Sequence, residues 1–119
     1  MDIKELGFLG ENIAARHLEQ KGYEIITKNY RKPWGEIDII AKKHDIITFV
    51  EVKANQSFSQ AFDPENRVNF QKMQKIKRTA SLFMQYEVGN AETEWQIDVI
   101  SVVFDLPNKK ANIKHFKNI

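Results

Sequence analysis

Gly35-Glu36-Ile37-Asp38-Ile39-Ile40-Ala41-Lys42-Lys43 and, just after it, Ile46-Ile47-Thr48-Phe49-Val50-Glu51-Val52-Lys53 decide the fold of this chain. Both stretches are dense in isoleucine, valine and other residues suited to a pleated, covered surface, and a short polar link around His44-Asp45 joins them. They read as two neighbouring strands, Glu36 to Lys42 and Ile46 to Lys53. Each nevertheless carries charge inside its apolar run: Asp38 in the first, Glu51 and Lys53 in the second. Buried charge is costly unless it is paired or binds a metal.

Working outward, Asp2 to Lys21 reads as a helix, with Leu6, Leu9, Ile13 and His17 at spacings of three and four and Gly22 as its stop. Tyr23 to Tyr30 is rich in β-formers and reads as a strand. Lys32-Pro33-Trp34-Gly35 is a turn. Downstream, Asn55 to Asn66 is polar and irregular, and Asp63-Pro64 has the form of a helix start. A second helix begins between there and Asn69 and runs to about Tyr86 on the apolar stripe Met73, Ile76, Ala80 and Phe83. Val88-Gly89-Asn90 breaks it. Trp95 to Phe104 is nearly all apolar after Asp98, as expected of a strand covered on both faces. Leu106 to Lys110 is a turn, and Ile113 to Phe116 reads as a short final strand. The order is αβββαβ with one further strand, an α/β domain with no internal repeat or linker, and 119 residues fit one such domain.

Apolar residues make up 42% of the chain, enough for a core, and the absence of cysteine excludes disulfides, thiolate zinc sites and a thiol nucleophile. No apolar run approaches the ~18 residues of a membrane span. The charged start Met1-Asp2-Ile3-Lys4-Glu5 argues against a secretory leader, so the expected compartment is the cytoplasm. Net charge is only +2, but its distribution is uneven. From Arg67 to Tyr86 there is no acid, while Arg67, Lys72, Lys75, Lys77 and Arg78 are present; after Asp105 only bases occur. Acids gather around the first helix and the two central strands. Concentrated acids with basic flanks suit an anionic polymer held beside a metal, although ordinary solvated helix faces give the same composition.

Side chains alternate along a strand, which puts Glu51 and Lys53 on one face and gives Glu36 and Asp38 a common face. A two-residue turn through His44-Asp45 pairs Lys43 with Ile46, and a four-residue loop keeps the same register. Asp38 then lies opposite Glu51, and Glu36 opposite Lys53. A three-residue loop would separate the acids onto opposite faces. Opposed carboxylates repel unless a cation lies between them. Lys53 supplies one positive charge, and hard oxygen ligands without cysteine favour Mg²⁺ or Mn²⁺. An acid followed by an acid-any-lysine triplet on the adjacent strand is what metal-dependent phosphodiester cleavage needs: ligands for the ion, and a cation to orient water or stabilise the transition state. The competing reading is a surface hairpin with a cross-strand salt bridge.

Glu11 shares a helix stripe with Ala14, Ala15 and Leu18 and can point toward the sheet, or simply stabilise the first turns of its helix. Asp98, inside an apolar strand, reads as a buried, hydrogen-bonded acid. His17, His44 and His115 have no ligand spacing. Trp34, beside Arg31 and Lys32, could stack on a base, but a turn tryptophan more often covers a core edge. Gly7-x-x-Gly10 lies in a helix without the preceding strand of a phosphate-binding loop.

Gly10-Glu11 with Ala14, Leu18 and Gly22-Tyr23, then Asn29-Tyr30-Arg31, Gly35-Glu36-Ile37-Asp38-Ile39-Ile40 and Phe49-Val50-Glu51-Val52-Lys53, together resemble the YraN-like family of small bacterial proteins. That family is similar to the archaeal Holliday-junction resolvases and belongs to the PD-(D/E)xK nuclease superfamily. The resemblance covers about residues 7 to 104. It implies a restriction-endonuclease-like fold, a central mixed sheet with helices on its faces, and a Mg²⁺-dependent endonuclease acting on DNA, including branched or single-stranded forms. Asp38, Glu51 and Lys53 take the catalytic positions, with Asp38 and Glu51 as metal ligands, and Glu11 takes the helix glutamate of the resolvase-like branch. Lys72 stands where the family carries a lysine early in its second helix; with Arg31 and Lys75 it is a candidate nucleic-acid contact. Cutting a junction symmetrically would require a homodimer. The alternative class is a non-catalytic nucleic-acid-binding module that keeps the fold. Two departures bear on substrate preference. Ala54-Asn55 follows Lys53 where the family usually has Thr-Arg, which removes a phosphate contact, and Trp95-Gln96-Ile97 replaces the usual lead-in to the late aspartate.

Overall fold

A computed structural model of the chain describes residues 2–56 and 70–119. Helix α1 spans Ile3–Gln20, and its N-cap is Asp2, whose side chain accepts the Glu5 N–H at 2.8 Å. Its end is closed by the Tyr23 N–H, which reaches back to the Leu18 carbonyl at 2.9 Å. Then come β1 (Glu24–Lys32), β2 (Gly35–Lys43) and β3 (Ile46–Gln56). Helix α2 (Phe70–Phe83) runs into a wider π-helical turn, Met84–Val88, closed by the Gly89 N–H on the Met84 carbonyl at 2.9 Å. Strands β4 (Glu94–Asp105) and β5 (Lys110–Phe116) complete the described residues.

The expected element order is therefore present, including the final strand. The helix-start signal at Asp63-Pro64, and the expected beginning of the second helix between there and Asn69, lie outside the described residues. Strand β3 runs to Gln56 rather than Lys53, because its pairing with β4 continues to Gln56 opposite Phe104. Strand β5 likewise starts at Lys110, inside the expected turn, because Asp105 pairs with Lys110.

The five strands form one sheet in the order β1-β2-β3-β4-β5. All neighbours are antiparallel except β3 and β4. A parallel pair needs a crossover, and α2 lies on the connection between β3 and β4. The β2–β3 hairpin turns through two residues, His44 and Asp45, with φ of 51° and 63°. Two positive φ values are the signature of the hairpin turn whose twist matches its strands. Lys43 then pairs with Ile46, and the even-length register is the one adopted.

Each helix buries one stripe. Ala14, Ala15 and Leu18 of α1 pack with Ile39, Ala41, Val50, Ile100 and Val102 on one face of the sheet. Ile76, Ala80 and Phe83 of α2 pack with Ile37, Ile40, Ile47, Phe49 and Ile97 on the other. Phe49 is fully buried and meets the rings of Phe83 and Trp95 edge-on, each at 5.6 Å between centroids. Burying one such side chain contributes on the order of 1.5–3 kcal/mol. This is the mixed sheet flanked by helices that characterises the restriction-endonuclease-like fold. None of the described helices is long and apolar enough to cross a membrane.

Candidate active site

The site forms where the β2–β3 ladder gives out. Rungs run from Lys43 and Ile46 to Ile39 and Val50. At the next position Asp38 uses its side chain instead, with Oδ2 accepting the Val52 N–H at 2.8 Å. A change of phase accompanies it. Ile39 packs on the α1 side of the sheet, yet Ile37, two residues away, packs on the α2 side. Regular alternation would keep them together. The neighbouring strand shifts with it: Asn29, between Lys28 (opposite Ile39) and Tyr30 (opposite Ile37), has φ 54°. The irregularity carries Asp38 out of the ladder and leaves its carboxyl half-buried.

Glu51 is 8% exposed. Its Oε1 meets Lys72 Nζ at 2.7 Å and Lys53 Nζ at 3.5 Å. Strand parity puts Glu51 on the α2 side with Phe49, so the first turn of α2 can deliver Lys72 to it. Burial pushes the Asp38 carboxyl from its ordinary 3.8 up to about 8, helped by the charges of Glu51 and Glu11; the Val52 N–H and Lys72 pull the other way. Burial and the neighbouring Lys72 hold the Lys53 ammonium below its usual range, against the attraction of Glu51. For Lys72, burial disfavours the charge, but its bond to Glu51 and the Asp38 charge keep its pKa raised. The two lysines share one carboxylate. The shorter contact belongs to Lys72, so Lys53 gives up its proton more readily.

Glu11 comes to this cluster from α1. Gly10 permits the approach, since a Cβ there would stand 2.6 Å from the Ala54 Cβ of β3. Burial raises the Glu11 pKa; a hydrogen bond with the Asn29 side chain and the Arg31 charge oppose the rise, while Glu51 and Glu36 add to it. Glu11 is thus within electrostatic reach of Glu51, as a stripe position aimed at the sheet requires.

Two expected rungs are absent. Asp38 does not pair with Glu51, because the last β2–β3 rung is Ile39 with Val50 and the Asp38 carboxylate takes the Val52 N–H. Glu36 does not stand opposite Lys53: the β2–β3 ladder has ended by then, and Glu36 faces Arg31 in β1, with Nε to Oε2 at 3.6 Å. Both side chains are about 70% exposed, where such a pair contributes ~0–1 kcal/mol. Ala54, one of the family departures, packs under α1 against Gly10. Lys75 lines a cleft of about 560 Å³ together with Glu51, Lys72 and Trp34. Arg31 lines a separate one with Glu11 and Asn29.

Asp98 is satisfied by three donors: Gln96 Nε2 at 2.9 Å, His115 Nε2 at 2.7 Å and the Asn118 N–H at 2.9 Å. Burial alone would raise its pKa, but these bonds hold it below the ordinary value. The fold also brings the His17 ring to 6.0 Å from that of His115, a contact invisible in their spacing. The bond of Asn29 to Glu11 and the close packing of Gly10 against Ala54 were not foreseen from the sequence, although both residues lie in the family motifs.

Among the described residues no three carboxylate or imidazole groups converge as a complete metal cage. Mg²⁺ does not need one, since it is held by one or two carboxylates with water and substrate phosphate filling the rest. Asp38 and Glu51 would meet that requirement, because a cation would offset the burial and the Glu51 charge that together raise the Asp38 pKa.

The model of the uncharacterised protein family UPF0102 matches residues 10–102. UPF0102 proteins of Alkaliphilus metalliredigens, Fervidobacterium nodosum and Caldicellulosiruptor bescii are 43%, 39% and 38% identical over 97%, 93% and 99% of this chain. The alignments cover 96%, 78% and 98% of those relatives. The chain therefore belongs to UPF0102, the YraN-like family whose motifs its strands and first helix carry.

Proposed function

We propose that this protein is a divalent-cation-dependent endonuclease that hydrolyses phosphodiester bonds of DNA. The observation that carries the reading is the meeting of Asp38, Glu51, Lys53 and Lys72 at the point where β2 leaves β3. A purely structural salt bridge needs one acid and one base. Here a second acid, half-buried, is held near the first with its pKa raised by burial and by the Glu51 charge.

Asp38 and Glu51 would hold Mg²⁺ or Mn²⁺, which supplies an activated water and neutralises charge on the scissile phosphate. Asp38 is oriented for this by the Val52 N–H, and Glu51 by its lysines. Lys53, whose pKa is lowered, is suited to orient the attacking water or to give a proton to the leaving oxygen. Lys72 starts on Glu51 and can shift its ammonium to a phosphate oxygen once the carboxylate has another cation. Lys75 and Arg31 would contact the backbone of the nucleic acid.

A metal titration with fluorescent duplex, single-stranded, flap and four-way-junction DNA tests the proposal. Metal-dependent cleavage of at least one substrate, lost in Asp38→Asn, is expected. No cleavage of any of them at millimolar Mg²⁺ or Mn²⁺ would refute it.

A further inference from the structure

We propose that Trp34 is a stacking platform for an unpaired base, which makes single-stranded or splayed nucleic acid the substrate class of the site. This rests on the nucleic-acid reading above and extends it.

Trp34 lies on the tight β1–β2 turn and is 42% exposed. The common use of a turn tryptophan is to cover the edge of a core, but Trp34 belongs to neither hydrophobic cluster. Among the described residues no aromatic ring packs on it and no cation lies over it. It instead walls the same cleft as Glu51, Lys72 and Lys75, with Lys32 beside it. The cleft's volume of about 560 Å³ lies within the ~300–1,000 Å³ span of small-ligand sites.

The platform is fixed at its base. Gly35, the next residue, has φ +157°, and a Cβ there would overlap Thr79 Oγ1 of α2 and lie 3.8 Å from the Lys75 carbonyl. Thr79 is fully buried and donates its hydroxyl to that same carbonyl at 2.8 Å. The turn is thereby docked on the helix that carries Lys72 and Lys75, so indole and cations hold a set relation to each other. An exposed indole among lysines is the combination that binds single strands: the ring takes the face of a base, and the cations take the phosphates. A base inside a duplex has both faces covered, so only an unpaired or extruded base can use the ring.

The test uses the full chain in EDTA, so that binding is read without cleavage. In Trp95→Phe, which keeps an aromatic ring against Phe49, Trp34 is the sole indole. Its emission is titrated with a short thymidine oligonucleotide, an abasic strand of equal length and a blunt duplex, while anisotropy of labelled strands reports affinity. Quenching by the thymidine strand, but not by the abasic strand or the duplex, is expected. Trp34→Ala should weaken the thymidine strand about 5- to 150-fold, the change equivalent to ~1–3 kcal/mol of stacking. Trp34→Phe should restore most of that loss, and neither variant should alter abasic binding. Quenching that is equal for all three strands, or unchanged affinity in Trp34→Ala, overturns the proposal. Strands that bind by anisotropy while Trp34 stays silent overturn this inference alone. Strands that fail to bind at all overturn the nucleic-acid reading with it.

Discussion

Replacing Asp38 with asparagine should make the protein more stable and inactive at once, and the pH dependence of the gain is the sharpest consequence of the site's geometry. Burial and the nearby Glu51 charge raise the Asp38 pKa to about 8 from its ordinary 3.8. Between those values the folded carboxyl holds its proton while the unfolded one has released it. The folded state therefore binds more protons, and stability falls as pH rises through that window, by up to ~1.4 kcal/mol per unit. Below about pH 4 both states are protonated and the penalty is absent. Integrated over roughly four units the upper bound is ~6 kcal/mol. The site relaxes around the charge, so on the order of 1–3 kcal/mol should be realised near pH 7.

Asparagine keeps the shape and an acceptor for the Val52 N–H but does not ionise. Urea or thermal melts in EDTA from pH 4 to 8 should show the variant gaining on the parent as pH rises, with the two nearly equal at about pH 4. At ~3–6 °C per kcal/mol for a chain of this size, the melting temperature near pH 7 should rise by at least ~3 °C. Cleavage should fall at least ~100-fold, as on losing a group that stabilises transition-state charge. A variant less stable than the parent by the same amount at every pH would refute the reasoning, because Asp38 would then be a satisfied structural acid. Full specific activity in Asp38→Asn would refute the active-site assignment independently.

Mn²⁺ must displace the Asp38 proton, so calorimetric affinity should tighten about tenfold per pH unit up to about pH 8 and level off above it, with proton release on binding near pH 7; affinity independent of pH would exclude Asp38 as a ligand. Lys53→Met should abolish cleavage while leaving DNA affinity, measured by anisotropy in EDTA, close to that of the parent. Lys75→Ala should weaken binding of every sequence alike and reduce the log–log salt slope by about 0.7–0.9, the loss of one phosphate contact. Asp98→Ala strands three donors in the α1-side core and should cost ~2–4 kcal/mol in urea melts, with specific activity of the folded fraction unchanged.

What the sequence made legible, and what it hid, divides at the Asp38 rung. Helix stripes such as Met73-Ile76-Ala80-Phe83 and the two-residue turn at His44-Asp45 are local, and local periodicity fixes them. The turn fixes the register, and the register predicts that Asp38 and Glu51 are neighbours. That inference assumes both strands alternate without interruption. The structure breaks the assumption at the position that matters: Ile37 and Ile39 pack on opposite faces, and Asn29 on the adjacent strand adopts φ 54°. The phase of β2 is therefore set partly by β1, a tertiary dependence that no reading of residues 35–53 alone contains. The same break accounts for the failed expectation at Glu36, which follows β1 toward Arg31 instead of β3 toward Lys53. The resemblance singled out Lys72, but its contact with Glu51 was hidden for a related reason, since a basic helix face gives no sign of which lysine will reach a buried carboxylate 21 positions earlier in the chain. An uninterrupted ladder would have spent the Val52 N–H on a strand neighbour and turned both acids into an ordinary cross-strand pair. By leaving the ladder, Asp38 takes that N–H for its own side chain and becomes an acid held in place with its pKa raised beside Glu51, which is the arrangement the proposed metal role calls for.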